Sequence, residues 1–154
     1  VRSPDGEDAV RAATEVLIMV GANDAADEFP GRDAATYAEI AGQVTSNVTD
    51  AVRAIHAVAG DGLPVVVLGY WNVVQDGAGA GYAPGEEAEA ALATSDTNHA
   101  LAAAADATGA LFVPTYPLFK GADGGTDPTP LLTEDGDHPN ATGHEVIADA
   151  IPRQ

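Results

Sequence analysis

The chain has 154 residues, and its 24 acidic and 6 basic side chains give a formal net charge of −18. This length fits one domain over residues 1–154, and the acidic excess would repel nucleic acid, which argues against nucleic acid as a partner. The absence of cysteine excludes disulfides, thiolate metal sites and a cysteine nucleophile.

The sequence shows no segment that would direct it to a membrane. No apolar run approaches the roughly 18 residues of a membrane-spanning helix. Residues 1–8 are polar and acidic, whereas a signal peptide begins basic and continues apolar. We therefore expect a soluble chain whose compartment stays open, and secretion would require a signal peptide upstream. Nothing in the composition indicates an oligomeric state.

Three apolar runs predict strands that are buried on both faces. Residues 16–20 read Val-Leu-Ile-Met-Val and end at Gly21. Residues 65–68 form the second run, and residues 110–113 form a third, shorter one. Continuous apolar runs of this length, bounded by turn residues, are typical of strands in a parallel sheet.

Helical patterns alternate with these runs. A short one covers residues 8–14, a long one with apolar residues three and four apart covers 35–59, and an alanine-rich one covers 86–107. A closing helix is expected near the C-terminus, with Thr142 and Glu145 placed as a capping box. This alternation predicts an α/β fold of three layers, with a parallel sheet between helices.

A first candidate site follows the first predicted strand, where Gly21-Ala22-Asn23-Asp24 stands. Ligands of an open parallel sheet collect beyond the carboxyl ends of its strands. The side-chain amide of Asn23 could there donate a hydrogen bond to an oxyanion. The alternative is that Asn23 and Asp24 form an Asx turn that caps the next segment.

A second candidate site is the run Asp135-Gly136-Asp137-His138-Pro139-Asn140. A carboxylate three residues before a histidine on a tight loop can accept the Nδ1–H of the imidazole, which leaves Nε2 free to take a proton. Gly136 permits the turn that this requires. The alternative is a histidine near a helix N-terminus, with acidic neighbours that serve solvation or a cation.

The two sites together resemble the SGNH/GDSL hydrolase superfamily. Gly-x-Asn-Asp follows a buried strand, and Asp-x-x-His-Pro-Asn is followed by Gly143-His144 near the C-terminus. The resemblance runs through nearly the whole chain. It implies a flavodoxin-like three-layer sandwich and ester hydrolysis by a Ser-His-Asp mechanism. It also implies no cofactor, and a small-molecule, glycan or lipid ester as substrate.

The resemblance assigns roles to individual residues. Asn23 matches the oxyanion-hole asparagine, with Gly21 in its vicinity. His138 matches the catalytic base, and Asp135 matches the acid that orients it. Asp24 matches a position expected to be structural.

The sequence also departs from that superfamily. Its members open with a strand ending in Gly-Asp-Ser and carry a later glycine that completes the oxyanion hole, and neither block is present. Ser3, Ser46 and Ser95 lack the strand-then-turn setting of a nucleophile. We therefore expect the C-terminal part of such a hydrolase, without its first two strands and with its serine upstream. The alternative is a complete, degenerate relative that acts as a non-catalytic binding module.

Two further groups of residues have weaker interpretations. Tyr70 and Trp71 follow the second predicted strand and could line an acyl or sugar pocket, although ordinary packing explains them equally well. The loop around Asp123 and Asp127 is acidic but lacks the residue register of an EF-hand. We therefore expect no bound metal.

Overall fold

Three parallel strands form the centre of the structure, a computed structural model that describes residues 3–152. They are β1 (Val16–Ile18), β2 (Val65–Leu68) and β3 (Leu111–Val113), in the order β1-β2-β3. Val67 at the centre pairs with Ile18 on one side and with Phe112 on the other. The predicted α/β fold with a parallel sheet is confirmed, although β1 ends two residues earlier than expected.

Within residues 3–152, six α-helices surround the sheet: α1 (Pro4–Ala12), α2 (Ala22–Ala26), α3 (Ala34–Ala59), α4 (Glu86–Thr108), α5 (Tyr116–Lys120) and α6 (Ala141–Ala150). The two long predicted helices end within one residue of the bounds of α3 and α4. The first helix begins earlier than predicted, because Ser3 caps it by accepting the N–H of Gly6 and Pro4 occupies its first position. The sequence did not predict α2 or α5, which have five residues each.

The cap of the last helix differs from the prediction. Asn140, in an extended conformation, is the N-cap of α6, and its side-chain oxygen accepts the N–H of Gly143 at 3.0 Å. The predicted capping box of Thr142 and Glu145 is therefore wrong, since both residues lie inside the helix. Asparagine is among the strongest N-cap residues, so the helix begins directly after the loop that carries His138.

Helices cover the central strand on both faces, which gives the structure its three layers. Val65 and Val67 of β2 pack into an apolar cluster with residues of α3 and α4. Val66 and Leu68 point to the opposite face, into a second cluster with residues of α5 and α6. Because neither face meets water, all four residues of β2 are buried, and the strand is uninterruptedly apolar.

The outer edge of β1 has no partner strand among residues 3–152. Leu17 on this strand is 48% exposed, and Val20 just beyond it is 49% exposed. Leu111 on β3 is also exposed, and it pairs with the same residue of β2, Val66, as Leu17 does. A sheet of three strands with apolar side chains at its edge is consistent with an α/β sandwich that lacks strands.

None of the helices formed by residues 3–152 is long and apolar enough to cross a lipid bilayer.

Candidate active site

Asp135 and His138 are in direct contact on the loop that precedes α6. Oδ2 of Asp135 lies 2.9 Å from Nδ1 of His138. The other carboxylate oxygen, Oδ1, accepts the hydroxyl of Thr133 at 2.5 Å and the backbone N–H groups of Asp137 and His138 at 2.9 and 3.0 Å. These three donors fix the carboxylate, so its second oxygen faces the imidazole.

The second ring nitrogen of His138, Nε2, makes no hydrogen bond within the described part of the chain. The His138 side chain is 73% exposed. An imidazole held at Nδ1 by a carboxylate and free at Nε2 has the arrangement of a general base.

Hydrogen bonding shifts the pKa values of Asp135 and His138 in opposite directions. The hydroxyl of Thr133, the backbone N–H of Asp137 and the imidazole hold the pKa of Asp135 well below its usual value. The hydrogen bond that Nδ1–H of His138 donates to Asp135, together with the nearby charge of Asp137, raises the pKa of His138. Asp135 therefore stays ionised at neutral pH, and the imidazole becomes a stronger base.

We expect Asp135→Asn to lower the pKa of His138, because it removes the charge that stabilises the imidazolium. A pH titration of the His138 ring protons by NMR measures this directly. Since the fold raises the pKa of His138, the ion pair stabilises the protein below the unfolded-state pKa and loses this effect as the pH rises through the folded-state pKa. An unchanged titration midpoint in the variant would show that Asp135 does not control this imidazole.

The loop is attached to the end of the sheet through backbone carbonyls. The Gly136 carbonyl accepts the N–H of Asp76 at 2.7 Å and Nδ2 of Asn72 at 3.2 Å. The next carbonyl, that of Asp137, accepts the indole N–H of Trp71 at 2.8 Å. Gly136 has a φ of 71°, in the region that favours glycine. The residues after β2 therefore position the loop that carries His138.

The candidate oxyanion residue Asn23 lies in α2, directly beyond the carboxyl end of β1. Gly21 introduces this helix with a φ of 105°, and a Cβ at that position would lie 3.0 Å from Val44, so glycine is required there. Asn23 and Asp24 are both exposed, and neither side chain makes a hydrogen bond within residues 3–152. The amide of Asn23 is thus available to a ligand, and the Asx turn considered as the alternative is absent.

Tyr70 lies between the two candidate sites. Burial raises the pKa of its phenol, and the backbone amide of Ala22 acts in the opposite direction. The carboxylates of Asp24 and Asp137 raise this pKa further. The amide of Asn98 fixes the Tyr70 backbone, since it accepts from the N–H at 2.7 Å and donates to the carbonyl at 2.9 Å. Helix α2 with Asn23 and the loop of His138 therefore share Tyr70 as a neighbour, and two hydrogen bonds hold its backbone in place.

Trp71 combines packing with a place on a cavity wall. It is 6% exposed and stacks on Phe119, with ring centroids 4.9 Å apart. It also borders a cavity of about 730 Å³ between the loops 75–82 and 121–129. Tyr70, its predicted companion in a substrate pocket, is not part of that cavity's lining.

No hydrogen bond within residues 3–152 joins a serine to His138. Ser3 caps α1, while Ser46 and Ser95 are exposed residues within α3 and α4. These positions agree with the expectation that none of the three stands on a strand-then-turn segment.

Metal-binding side chains do not cluster in residues 3–152. No group of three or more histidine, aspartate or glutamate side chains in this range could hold an ion. Asp127 instead accepts the N–H and hydroxyl of Thr129 at 3.0 and 2.6 Å, which is a local turn.

Sequence reasoning missed three residues that position the loop of His138, namely Thr133, Asn72 and Asp76. Thr133 stands two residues before Asp135, a spacing at which a hydroxyl can reach the carboxylate. For Asn72 and Asp76 the sequence holds no signal, because their partner Gly136 is 60 or more residues away in the chain.

Comparison with protein-family models gives a match over most of the chain. The model of the GDSL-like Lipase/Acylhydrolase family matches residues 3–146, which include both candidate sites. No curated protein matches the chain. The family match suggests the hydrolysis of esters in general, with small-molecule esters as substrates. The chain thus belongs to the GDSL-like Lipase/Acylhydrolase family.

Proposed function

We propose that this protein hydrolyses carboxylic esters by a Ser-His-Asp mechanism, with a serine supplied by a segment upstream of this chain. His138 is the general base, Asp135 orients it, and Asn23 stabilises the oxyanion. The observation that carries the proposal is the 2.9 Å contact between Asp135 and Nδ1 of His138, with Nε2 left free.

The proposed reaction has two halves. The serine Oγ attacks the ester carbonyl carbon while Nε2 of His138 takes its proton, and the same nitrogen then returns the proton to the departing alcohol. Water next attacks the acyl-enzyme, again losing its proton to Nε2, and the acid leaves as the serine is restored. Asp135 remains ionised throughout and stabilises the imidazolium of His138. The amide of Asn23 donates to the negatively charged oxygen of each tetrahedral intermediate.

Two structural features support an upstream serine. Ser3 is the N-cap of α1, and Ser46 and Ser95 are exposed residues inside α3 and α4, so none of the three follows the end of a strand. The free edge of β1, with exposed Leu17 and Val20, offers a place where further strands can pair and bury apolar surface. A strand paired parallel to β1 would end, like β1, on the side of the sheet that carries Asn23 and the loop of His138.

Labelling the product of the whole reading frame with a fluorophosphonate probe tests the proposal. We expect one adduct per molecule on a serine encoded upstream of this chain, located by peptide mass spectrometry. The same protein should hydrolyse p-nitrophenyl acetate, and the probe should abolish this activity. An adduct on Ser3, Ser46 or Ser95 would show that the nucleophile lies within the chain. Absence of any adduct would favour the non-catalytic binding module.

Replacement of Asn23 by alanine should lower kcat about 100- to 1000-fold and leave KM nearly unchanged, because the lost donor acts on the oxyanion formed in the transition state. Steady-state kinetics with p-nitrophenyl acetate measure both constants. Asp24→Asn is the matched control on the same short helix and should change kcat little. Equal losses in the two variants would mean that α2 is perturbed as a whole and that Asn23 has no specific role.

A further inference from the structure

We propose that the buried ion pair of Lys120 and Asp76 positions the loop that carries His138, which makes Lys120 a positioning residue for the proposed reaction. The ammonium group of Lys120 lies 2.9 and 2.7 Å from the two carboxylate oxygens of Asp76. The two side chains are only 17% and 23% exposed. The consequence for catalysis rests on the proposed function, whereas the attachment of the loop can be measured without it.

This ion pair differs from the other pairs that a lysine or arginine forms within residues 3–152. The pairs of Arg11, Arg32 and Arg53 join residues three or four apart, and each arginine is at least 52% exposed. Lys120 and Asp76 are 44 residues apart, and Lys120 is the only lysine of the chain. Among these pairs of the described residues, it alone joins distant segments and is shielded from water.

The backbone of Asp76 contacts the middle of the His138 loop. Its N–H donates to the Gly136 carbonyl at 2.7 Å. The carbonyl of Asp76 lies so close that a Cβ on Gly136 would be 2.7 Å from it. A Cβ on Gly79 would likewise lie 2.7 Å from the Cα of Gly136. The segment 76–79 therefore packs backbone against backbone on this glycine, so a shift of the segment moves the loop.

The carboxylate of Asp76 fixes the direction of this segment. Oδ1 accepts the N–H of Gly77 at 2.6 Å, and Lys120 donates to both carboxylate oxygens. Asp76 is thereby the N-cap of the short 3-10 turn Gly77–Gly79. Because both oxygens of the carboxylate are held, the backbone N–H of Asp76 stays directed at Gly136.

Lys120 is itself anchored, because it is the last residue of α5. The residue before it, Phe119, is 1% exposed and stacks on Trp71. The indole N–H of Trp71 donates to the carbonyl of Asp137. Helix α5 thus reaches two adjacent carbonyls of the loop, that of Asp137 through Trp71 and that of Gly136 through the ion pair. Two attachments to one helix fix the orientation of the loop.

The ion pair contributes to position more than to stability. A buried ion pair adds little net free energy of folding, because the loss of hydration offsets the attraction of the charges. Its hydrogen bonds are directional, and an apolar pair of the same size would leave the N–H of Asp76 free to turn. A displacement of about 1 Å in a catalytic group is enough to lower turnover about 100-fold.

The double variant Lys120→Met with Asp76→Asn tests this role without leaving an unpaired buried charge. The new amide oxygen can still accept the N–H of Gly77. In the product of the whole reading frame, we expect kcat for p-nitrophenyl acetate to fall about 10- to 100-fold, with KM nearly unchanged. Arg53→Met removes an exposed ion pair on α3 and should leave kcat unchanged. Parent turnover in the double variant overturns the proposal.

The single variants show whether the two residues act as one unit. Residues that share one interaction give losses that do not add. We therefore expect the double variant to lose no more turnover than the more strongly affected of Lys120→Met and Asp76→Asn. Losses that multiply would mean that the two side chains act independently, which overturns the proposal.

Hydrogen exchange shows directly whether the loop is released. In Lys120→Met, the backbone N–H of Asp76 should lose protection by about tenfold or more, while the amides of β2 keep theirs, because the opening is local. The double variant should show the same pattern, which keeps the test sharp if Lys120→Met misfolds. Unchanged protection at residue 76, or an equal loss throughout β2, overturns the proposal.

The exchange measurement also separates this inference from the catalytic proposal, because it requires no turnover. If the N–H of residue 76 is released in the variants and the parent protein hydrolyses no ester, the attachment of the loop stands and the Ser-His-Asp assignment fails. If protection and turnover survive the loss of both charges while His138→Ala is inactive, the catalytic assignment stands and the ion pair has no positioning role.

Discussion

Replacement of His138 by alanine is expected to lower kcat for ester hydrolysis by at least about a thousandfold. Without the imidazole, no group takes the proton from the attacking serine or returns it to the leaving alcohol. Folding should change little, because the side chain is 73% exposed. The substitution also keeps the three hydrogen bonds that Oδ1 of Asp135 accepts, from the Thr133 hydroxyl and from the backbone N–H groups of residues 137 and 138. The rate of p-nitrophenyl acetate hydrolysis by the product of the whole reading frame gives kcat. Thermal unfolding of the same protein checks the fold.

His144→Ala is the matched control for this prediction. His144 is exposed on the neighbouring helix α6, and its backbone N–H, which the substitution keeps, bonds to Asn140. Its removal should leave kcat nearly unchanged. Turnover near that of the parent in His138→Ala would overturn the assignment of the base, and equal losses in both variants would point to damage of the C-terminal helix.

The fold could be predicted where the sequence pattern is long or strictly apolar. β2 is buried on both faces, so its four residues are all valine or leucine, and the strand bounds follow directly. Similarly, apolar residues recur three and four apart along most of the 26 residues of α3, and this pattern defines its ends within one residue. Helices α2 and α5 have only five residues, too few for a periodic pattern, and so they could not be predicted.

The candidate site divides in the same way between local and distant contacts. The contact of Asp135 with His138 spans three residues around a glycine turn, so residue types and spacing suffice to suggest it. The attachment of this loop to Trp71 and Asn72 spans more than sixty residues and depends on the assembled sheet. Residue types suggested a pocket at Trp71 but could not show that its indole N–H faces the loop while its ring packs on Phe119.

Asp135→Asn should lower kcat by about ten-thousandfold, through the tautomer of His138 more than through loss of structure. Oδ1 of Asp135 accepts three hydrogen bonds, from Thr133, Asp137 and His138. In the variant, the amide oxygen takes this place, because only an oxygen can accept these bonds. The amide NH₂ then takes the place of Oδ2, which lies 2.9 Å from Nδ1 of His138 in the parent protein. It donates to Nδ1, which leaves the proton on Nε2 and removes the base.

Asp137→Asn is the control that separates this tautomer effect from a general loss of negative charge. Its carboxylate lies 3.9 Å from Nδ1 of His138, too far for a hydrogen bond. Both variants remove one negative charge near the imidazole, but only Asp135→Asn reverses the direction of the hydrogen bond at Nδ1. We expect ¹⁵N NMR to show a neutral imidazole protonated at Nδ1 in the parent and in Asp137→Asn, and at Nε2 in Asp135→Asn. If Asp135→Asn keeps the parent tautomer and turnover, Asp135 does not orient the base.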